Sequence, residues 1–278
     1  AGAIEILSQV PILIVDKTGT LTEGKPKMTS LQIFGGLSEK EILSLVGSLE
    51  RESEHPLAQA IYQSAKEKNV QFLPVEKFQS ITGKGALGFV GGKTLHVGNK
   101  ALMIDNNVAL TEVEKNADDL RKDGQTVMFM ALDRKAVALI GVSDPIKATT
   151  PGALKALKQT GLKIVMVTGD NKTTALAVAA KLDLDEVVAD VLPQQKVEIV
   201  KKYQAQGCSV GMAGDGINDA PALAQAEVGI AMGTGTDIAM KSAGVTLVKG
   251  DLNGIAKSRE LSLETIANIK QNLFFAFF

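Results

Sequence analysis

The segment with the clearest chemical content is residues 16–22, which read Asp-Lys-Thr-Gly-Thr-Leu-Thr and directly follow the apolar residues 11–15. An apolar run that ends in a carboxylate and a small polar loop predicts a buried strand with Asp16 at its carboxyl end. In open α/β sheets, ligands and catalytic groups lie at that edge. Asp16 is therefore a candidate metal ligand, base or nucleophile, and a mere turn-capping role is the less favoured alternative.

Further polar segments follow other apolar runs of the same kind. Thr168-Gly169-Asp170 comes after residues 164–167, residues 214–219 come after residues 210–213, and Lys196 adds an ammonium group. Because parallel strands end at one edge of a sheet, we expect these side chains to converge. The set offers carboxylates for Mg²⁺ and a lysine as a point charge for a phosphoryl group.

The elements that position these groups alternate between strand and helix from residue 143 onward, which predicts a doubly wound parallel sheet. The strand at residues 12–15 has the same character. Between them, short strands with glycine turns and several helices indicate an antiparallel α+β block. We therefore predict an α/β domain at residues 1–23 and 143–265, with an α+β domain at residues 24–142 inserted into it. The two chain crossings would form a hinge that allows closure over a ligand.

Composition narrows the class of protein. The chain has 278 residues, with 45% hydrophobic and 22% charged residues, as in a globular protein of one large or two ordinary domains. A net charge of −1 argues against nucleic acid as a partner. The single cysteine, Cys208, excludes an internal disulfide and a thiolate metal cluster and favours a reducing compartment.

The C-terminal residues 273–278 are apolar and include four phenylalanines. A soluble domain rarely exposes such a patch. The segment is either an element docked in the core or the start of a membrane helix. We favour the second interpretation and place that start at residues 266–278, although no stretch reaches the roughly 18 apolar residues that cross a bilayer and no signal peptide is visible.

The motifs resemble the catalytic part of P-type ATPases, within the haloacid dehalogenase-like superfamily. Residues 16–22 match the phosphorylation motif at every position, and residues 168–170 and 214–221 match two further signatures. The resemblance covers essentially the whole chain and implies that Asp16 accepts the γ-phosphoryl group of ATP. The implied roles are catalysis for Asp16, Lys196 and Thr168, phosphoryl binding for Lys17, Thr18, Gly169 and Asn218, Mg²⁺ binding for Asp16, the Thr18 carbonyl and Asp215, and support from Asp170 and Asp219.

Thr18 distinguishes between enzyme classes within this resemblance. Soluble phosphatases of the superfamily carry a second Asp two residues after the nucleophile, as general acid and base. A threonine cannot perform that role at neutral pH. We therefore expect the aspartyl phosphate to persist, as an energy transducer requires.

The inserted block carries a second resemblance. Ser53-Glu54-His55-Pro56 is similar to a segment of the heavy-metal P-type subfamily in which Glu and His contact adenine. A histidine before proline is by itself more often a turn or cap residue. The implied nucleotide-binding residues are Glu54, His55, Gly83, Gly85, Gly98 and Asn99.

The sequence is thus interpreted as the ATP-binding, autophosphorylating part of a heavy-metal P-type ATPase at the cytoplasmic face of a membrane, with Mg²⁺ and ATP. Copper(I) is the favoured ion, because residues 242–247 resemble copper-type sequences. The transported ion would bind to another part of the protein. The membrane and actuator domains lie outside this chain. Two alternatives remain. A soluble phosphatase is disfavoured by Thr18 and the apolar end, and a non-catalytic nucleotide-binding module by the complete set of acids and lysine.

Overall fold

A computed structural model of the chain describes residues 2–215, 217–233, 244–247 and 250–277. The chain divides into two compact units, an α/β unit of Ala1–Gly24 and Ile146–Phe278 and an inserted unit of Lys25–Pro145. The sequence places the divisions after residues 23 and 142. The later second division follows from strand pairing, because Lys27 pairs with Ser143 in the sheet of the inserted unit.

The strands of the described residues are β1 (Ile12–Asp16), β2 (Lys27–Ile33), β3 (Val75–Ile81), β4 (Gly85–Val90), β5 (Lys93–Gly98), β6 (Thr126–Leu132), β7 (Lys135–Ser143), β8 (Lys163–Val167), β9 (Glu186–Val188), β10 (Val210–Gly214), β11 (Val228–Met232) and β12 (Val245–Leu247). The α-helices within the described ranges are α1 (Gly2–Gln9), α2 (Glu39–Glu50), α3 (Pro56–Glu67), α4 (Lys100–Asp105), α5 (Glu114–Lys122), α6 (Thr150–Gln159), α7 (Lys172–Lys181), α8 (Lys196–Ala205), α9 (Ala220–Gln225) and α10 (Asn253–Phe277).

The α/β unit is built on a parallel sheet with strand order β12-β11-β10-β1-β8-β9. Strand β1 lies between β10 and β8, so the chain builds outward from β1 in both directions. Such a reversal of strand order is where α/β sheets bind ligands. All five residues of β1 are buried, because Leu13 and Val15 enter the core on one face while Ile12 and Ile14 enter the core on the other.

The inserted unit contains an antiparallel sheet with strand order β2-β7-β6-β5-β4-β3. Alternate residues of β6 point to opposite faces: Met128 and Met130 pack in the core that includes residues of α2 and α3, and Phe129 packs with residues of α4 and α5. Helix α2 begins at a reciprocal capping box of Ser38 and Glu41. The predicted fold class, a doubly wound α/β domain with an inserted antiparallel α+β domain, is confirmed.

Helix α10 runs without a break through residue 265, where the sequence places the end of the α/β domain. Its first turns are fixed to the α/β unit by Arg259, which is 5% exposed. The Arg259 guanidinium donates to the carbonyls of Leu7 and of Val10, the latter at 2.9 Å. Among the described residues, no helix combines the length and the apolar character needed to span a membrane.

Candidate active site

The ends of three neighbouring strands carry the predicted acidic site. Asp16 is the last residue of β1, Thr168 follows β8, and Asp215 follows β10. Oxygens of Asp16, Asp215 and Asp219 lie within 4.8 Å of one another. Lys196, the first residue of α8, donates to Asp16 Oδ1 at 2.8 Å and to Asp219 Oδ1 at 2.6 Å. The structure therefore brings together the two carboxylates, the ammonium group and the supporting carboxylate that the sequence places at one sheet edge.

The site has more negative charge than one lysine offsets. Burial, and then repulsion from Asp219, raise the pKa of Asp16 to about 7, against the opposing effect of Lys196. Burial and Asp219 also raise the pKa of Asp215 to about 6, while Lys147 and Lys196 lower it. Burial opposes the charge of Lys196, but Asp16 and Asp219 outweigh it and raise the pKa of that ammonium. Clustered carboxylates of this kind fit a hard divalent cation such as Mg²⁺.

Glycine at position 19 is required by the geometry of the loop Lys17–Leu21. Gly19 has φ +73°, and a Cβ there would lie 1.5 Å from Asp215 Oδ2. The Gly19 N–H donates to Thr22 Oγ1 at 3.2 Å, and the Thr22 hydroxyl donates to the Lys17 carbonyl at 3.0 Å. The last threonine of the motif therefore closes the loop, and the glycine allows Asp215 to approach it.

Lys17 and Thr168 both contact the carboxylate of Asp170. Buried Lys17, for which the family resemblance implies phosphoryl binding, forms an ion pair with Asp170. The Thr168 hydroxyl donates to Asp170 Oδ2 and accepts from the Asp170 N–H, both at 3.1 Å. Asp170 thus contacts both Lys17 and Thr168 at this part of the sheet edge. By contrast, Thr18, Gly169 and Asn218 are exposed, which suits residues that meet a ligand.

Four of the predicted nucleotide-binding residues lie together in the inserted unit. Gly85 and Gly98 are register partners on β4 and β5, and a Cβ on Gly85 would lie 2.5 Å from Gly98 Cα. Asn99 caps α4 by accepting from the Leu102 N–H at 3.1 Å, and its amide donates to the Gly83 carbonyl at 2.8 Å. The cluster is a patch of bare backbone that larger residues could not form.

The other two predicted residues lie at the start of α3. His55 is exposed and caps this helix, because its Nδ1 accepts from the Leu57 N–H at 3.2 Å. Glu54 is also exposed, and no side-chain contact with another described residue marks it as part of a site.

Glu50, for which the sequence pattern predicts no functional role, is a further candidate site residue. It is 1% exposed at the end of α2, its Oε1 has no hydrogen-bond partner among the described residues, and burial raises its pKa to about 7. Helix α2 packs against β4 and β5, the strands of the glycine patch. A buried carboxyl group without a partner is costly and marks candidate functional sites. A signal was present, since Glu50 continues the apolar face of Leu43 and Val46 at helical spacing.

Glu50→Gln is expected to change stability and nucleotide binding in opposite directions. The folded-state pKa of about 7 lies above the ordinary value of 4.5, so ionisation of Glu50 removes stability progressively as pH rises from about 4.5 to about 7. The variant should therefore be more stable than wild type at pH 8 by roughly 3 kcal/mol, and equally stable below about pH 4. Denaturant titration at both pH values measures this difference.

Calorimetric titration with ADP should show about tenfold weaker binding to Glu50→Gln, because a hydrogen bond to a charged group is lost. Glu54→Gln, in an exposed glutamate of the same segment, is the matched control and should match wild type in both measurements. Uniform destabilisation of Glu50→Gln with normal ADP affinity would contradict a role of Glu50 in nucleotide binding.

Comparison with known proteins places this arrangement in a family. Residues 10–227 match the family model described as haloacid dehalogenase-like hydrolase, and the chain belongs to that family. It is 52% identical over 277 residues to a copper-transporting P-type ATPase of Rhizobium leguminosarum bv. viciae, covering 100% of this chain and 33% of the relative. It is also 52% identical over 277 residues to a copper-exporting P-type ATPase of Legionella pneumophila, covering 100% of this chain and 38% of the relative.

Solved structures of ATPases are also similar to this chain. The catalytic CPx-ATPase domain CopB-B superposes with a TM-score of 0.71 at 30% identity, covering 93% of each chain. A zinc-transporting PIB-type ATPase in its E2.Pi state superposes with a TM-score of 0.72 at 36% identity, covering 99% of this chain and 44% of that one. The chain is therefore the catalytic portion of a P-type ATPase, and it spans about a third of the length of the curated relatives it matches.

Proposed function

We propose that this chain binds ATP and transfers its γ-phosphoryl group to Asp16, within an ATPase that transports a heavy-metal cation. The observation that carries the proposal is the position of Asp16, buried at the end of β1, beside Asp215 and bonded to Lys196 at 2.8 Å. In the proposed step a carboxylate oxygen of Asp16 bonds to the γ-phosphorus, the bond to the β–γ bridging oxygen breaks, and ADP leaves.

The residues around Asp16 have separate tasks in this step. Phosphoryl transfer depends on positioning and charge neutralisation more than on covalent assistance. Lys196, held by Asp219 at 2.6 Å, would neutralise charge on the transferred group. Gly169, Asn218 and the Thr168 hydroxyl, once it turns from Asp170, would bind phosphoryl oxygens. Mg²⁺ held by Asp16, Asp215 and the Thr18 carbonyl would supply electrostatic stabilisation of the negative charge.

ATP would bind to the inserted unit. The patch of Gly83, Gly85 and Gly98 lets a flat ring approach the backbone, and exposed His55 offers an imidazole for stacking or hydrogen bonding. Glu50, whose Oε1 has no hydrogen-bond partner in the part of the chain that the structure describes, would bind the exocyclic amine of adenine and replaces Glu54 in this proposal.

Copper(I) is our proposed transported ion. Similar relatives include several copper-transporting or copper-exporting ATPases and a silver-exporting ATPase of Salmonella typhimurium at 50% identity. The proposal extends to the whole protein, which would contain membrane and actuator domains and would face the cytoplasm. It would export the ion, and the residues that select the ion would lie outside this chain. Of the segment that resembles copper-type sequences, residues 242 and 243 lie outside the described residues.

The soluble phosphatase alternative is tested by Thr18→Asp. Thr18 is exposed beside the acceptor, with φ −72° and ψ 128°, a conformation open to any residue. A carboxyl group there would act as the missing acid and base, so we expect the phosphoenzyme to decay at least about 100-fold faster. Pulse-chase decay of the labelled protein measures the rate. Thr18→Asn is the control, and equal decay of all three proteins would refute the role given to Thr18.

The proposal as a whole is tested by incubating the full-length protein with γ-labelled ATP. We expect acid-stable, hydroxylamine-sensitive label that requires Mg²⁺ and is chased by ADP. ATP hydrolysis without any such label would favour direct hydrolysis and contradict the proposal. Stimulation of labelling by copper(I) in preference to zinc would support the proposed ion.

A further inference from the structure

Lys147, which lies in none of the motifs singled out from the sequence, contacts the loop that follows Asp16. Its Nζ donates to the Gly19 carbonyl and, at 2.9 Å, to the Gly250 carbonyl. Its own N–H donates to the Leu21 carbonyl at 3.1 Å. One half-buried residue is therefore bonded to the loop through both its backbone and its side chain.

The second carbonyl that Lys147 contacts belongs to Gly250. It directly precedes Asp251, whose carboxylate accepts from the Asn253 N–H at 2.9 Å and so begins α10. Leu252 and Ile255 anchor the start of α10 in the core of the α/β unit. The ammonium group of Lys147 thus connects the loop Lys17–Leu21 to the start of α10, which is itself packed in the core.

The position of Gly19 controls the spacing of the acidic site. A Cβ on Gly19 would lie 1.5 Å from Asp215 Oδ2, so the glycine backbone is in contact with that carboxylate. Gly19 also follows Thr18, whose carbonyl is a proposed Mg²⁺ ligand. Any shift of Gly19 would therefore displace Asp215, the Thr18 carbonyl or both relative to Asp16.

We propose that Lys147 is a positioning residue for phosphoryl transfer. Its ammonium group bridges the carbonyls of Gly19 and Gly250 and thereby fixes the position of the loop Lys17–Leu21, which follows Asp16. The inference rests on the proposed function for its kinetic consequence. Hydrogen bonds from an ammonium group to carbonyls are charge-assisted and therefore stronger than neutral ones. Lys147→Met keeps an apolar stem of similar length and removes both donors, while Lys147→Arg keeps a cation with several donors.

The kinetic test measures single-turnover phosphorylation of the full-length protein at saturating ATP and Mg²⁺. Lys147→Met should lower the rate about 10- to 100-fold, since small misplacements of reacting groups have effects of this size. The ATP concentration at half-maximal rate should not change, and Lys147→Arg should recover most of the rate. Lys155→Met, an exposed lysine on α6, is the matched control and should equal wild type.

A second readout is independent of phosphorylation. Hydrogen–deuterium exchange without nucleotide should be faster at the Gly19 and Thr22 amides in Lys147→Met than in wild type or Lys155→Met. Unchanged phosphorylation or unchanged exchange in Lys147→Met would overturn the inference. Loss of ATP binding or of cooperative unfolding would overturn it too, because Lys147 would then be a general structural residue. If wild type itself is not phosphorylated, the proposed function fails, and the exchange result still decides whether Lys147 holds the loop.

Discussion

Asp16→Asn is expected to abolish phosphorylation from ATP, with a loss of more than about 10⁴-fold in the rate of label incorporation. The amide oxygen is a poor nucleophile and cannot form a stable acyl phosphate in place of the carboxylate. The substitution preserves shape and removes a buried charge, since burial and then repulsion from Asp219 raise the pKa of Asp16 to about 7. We therefore expect the variant to fold and to bind ATP with unchanged affinity, as measured by calorimetric titration.

The control for Asp16→Asn is Asp119→Asn, in an exposed aspartate of α5 whose partner is Lys122 at 3.1 Å. Surface pairs of this kind contribute little, so this variant should be labelled like wild type. Hydroxylamine-sensitive label that persists in Asp16→Asn would show that another residue accepts the phosphoryl group.

Lys196→Met is expected to have the second largest effect, a decrease of about 10²- to 10³-fold in single-turnover phosphorylation at saturating ATP. Lys196 bonds to the acceptor Asp16 and to Asp219, which is 1% exposed. Without the ammonium group, nothing at that position offsets the charge of the transferred group. ATP affinity should be unchanged, because the proposed nucleotide contacts lie in the inserted unit.

The same variant should also unfold more easily, because removal of one partner leaves buried carboxylates without a cation, at a cost of about 3–5 kcal/mol. Lys201→Met is the matched control on α8, since Lys201 pairs with Glu198 at the surface at 2.8 Å. It should affect neither rate nor stability. A Lys196→Met protein that is destabilised but phosphorylated at the wild-type rate would assign Lys196 to structure alone.

Local sequence was sufficient for much of the acidic site. Apolar runs predicted β1, β8 and β10, and parallel strands must end at one edge, so the meeting of Asp16 with Asp215 followed from pattern alone. The ion pair of Lys17 with Asp170 was not predictable in this way. Both residues lie in recognised motifs, and only the fold shows that their side chains meet.

The inserted unit shows where pattern is insufficient. Glu54 stands inside a recognisable motif, yet Glu50 is the buried glutamate, because burial depends on the packing of α2 against β4 and β5. Helix α4 has only six residues, too few for a clear helical period in the sequence, although Asn99 is a good cap signal. Contacts of Lys147 with carbonyls carry no signature in side-chain type at all.

The central claim, that Asp16 carries the phosphoryl group, is tested most directly by chemical trapping. Borohydride reduces an aspartyl phosphate to homoserine and leaves free carboxylates unchanged. After reaction of the full-length protein with ATP and Mg²⁺, peptide mass spectrometry should find homoserine at position 16, with none when ATP is omitted. Homoserine at another aspartate, or its absence from a protein that carries hydroxylamine-sensitive label, would contradict the account.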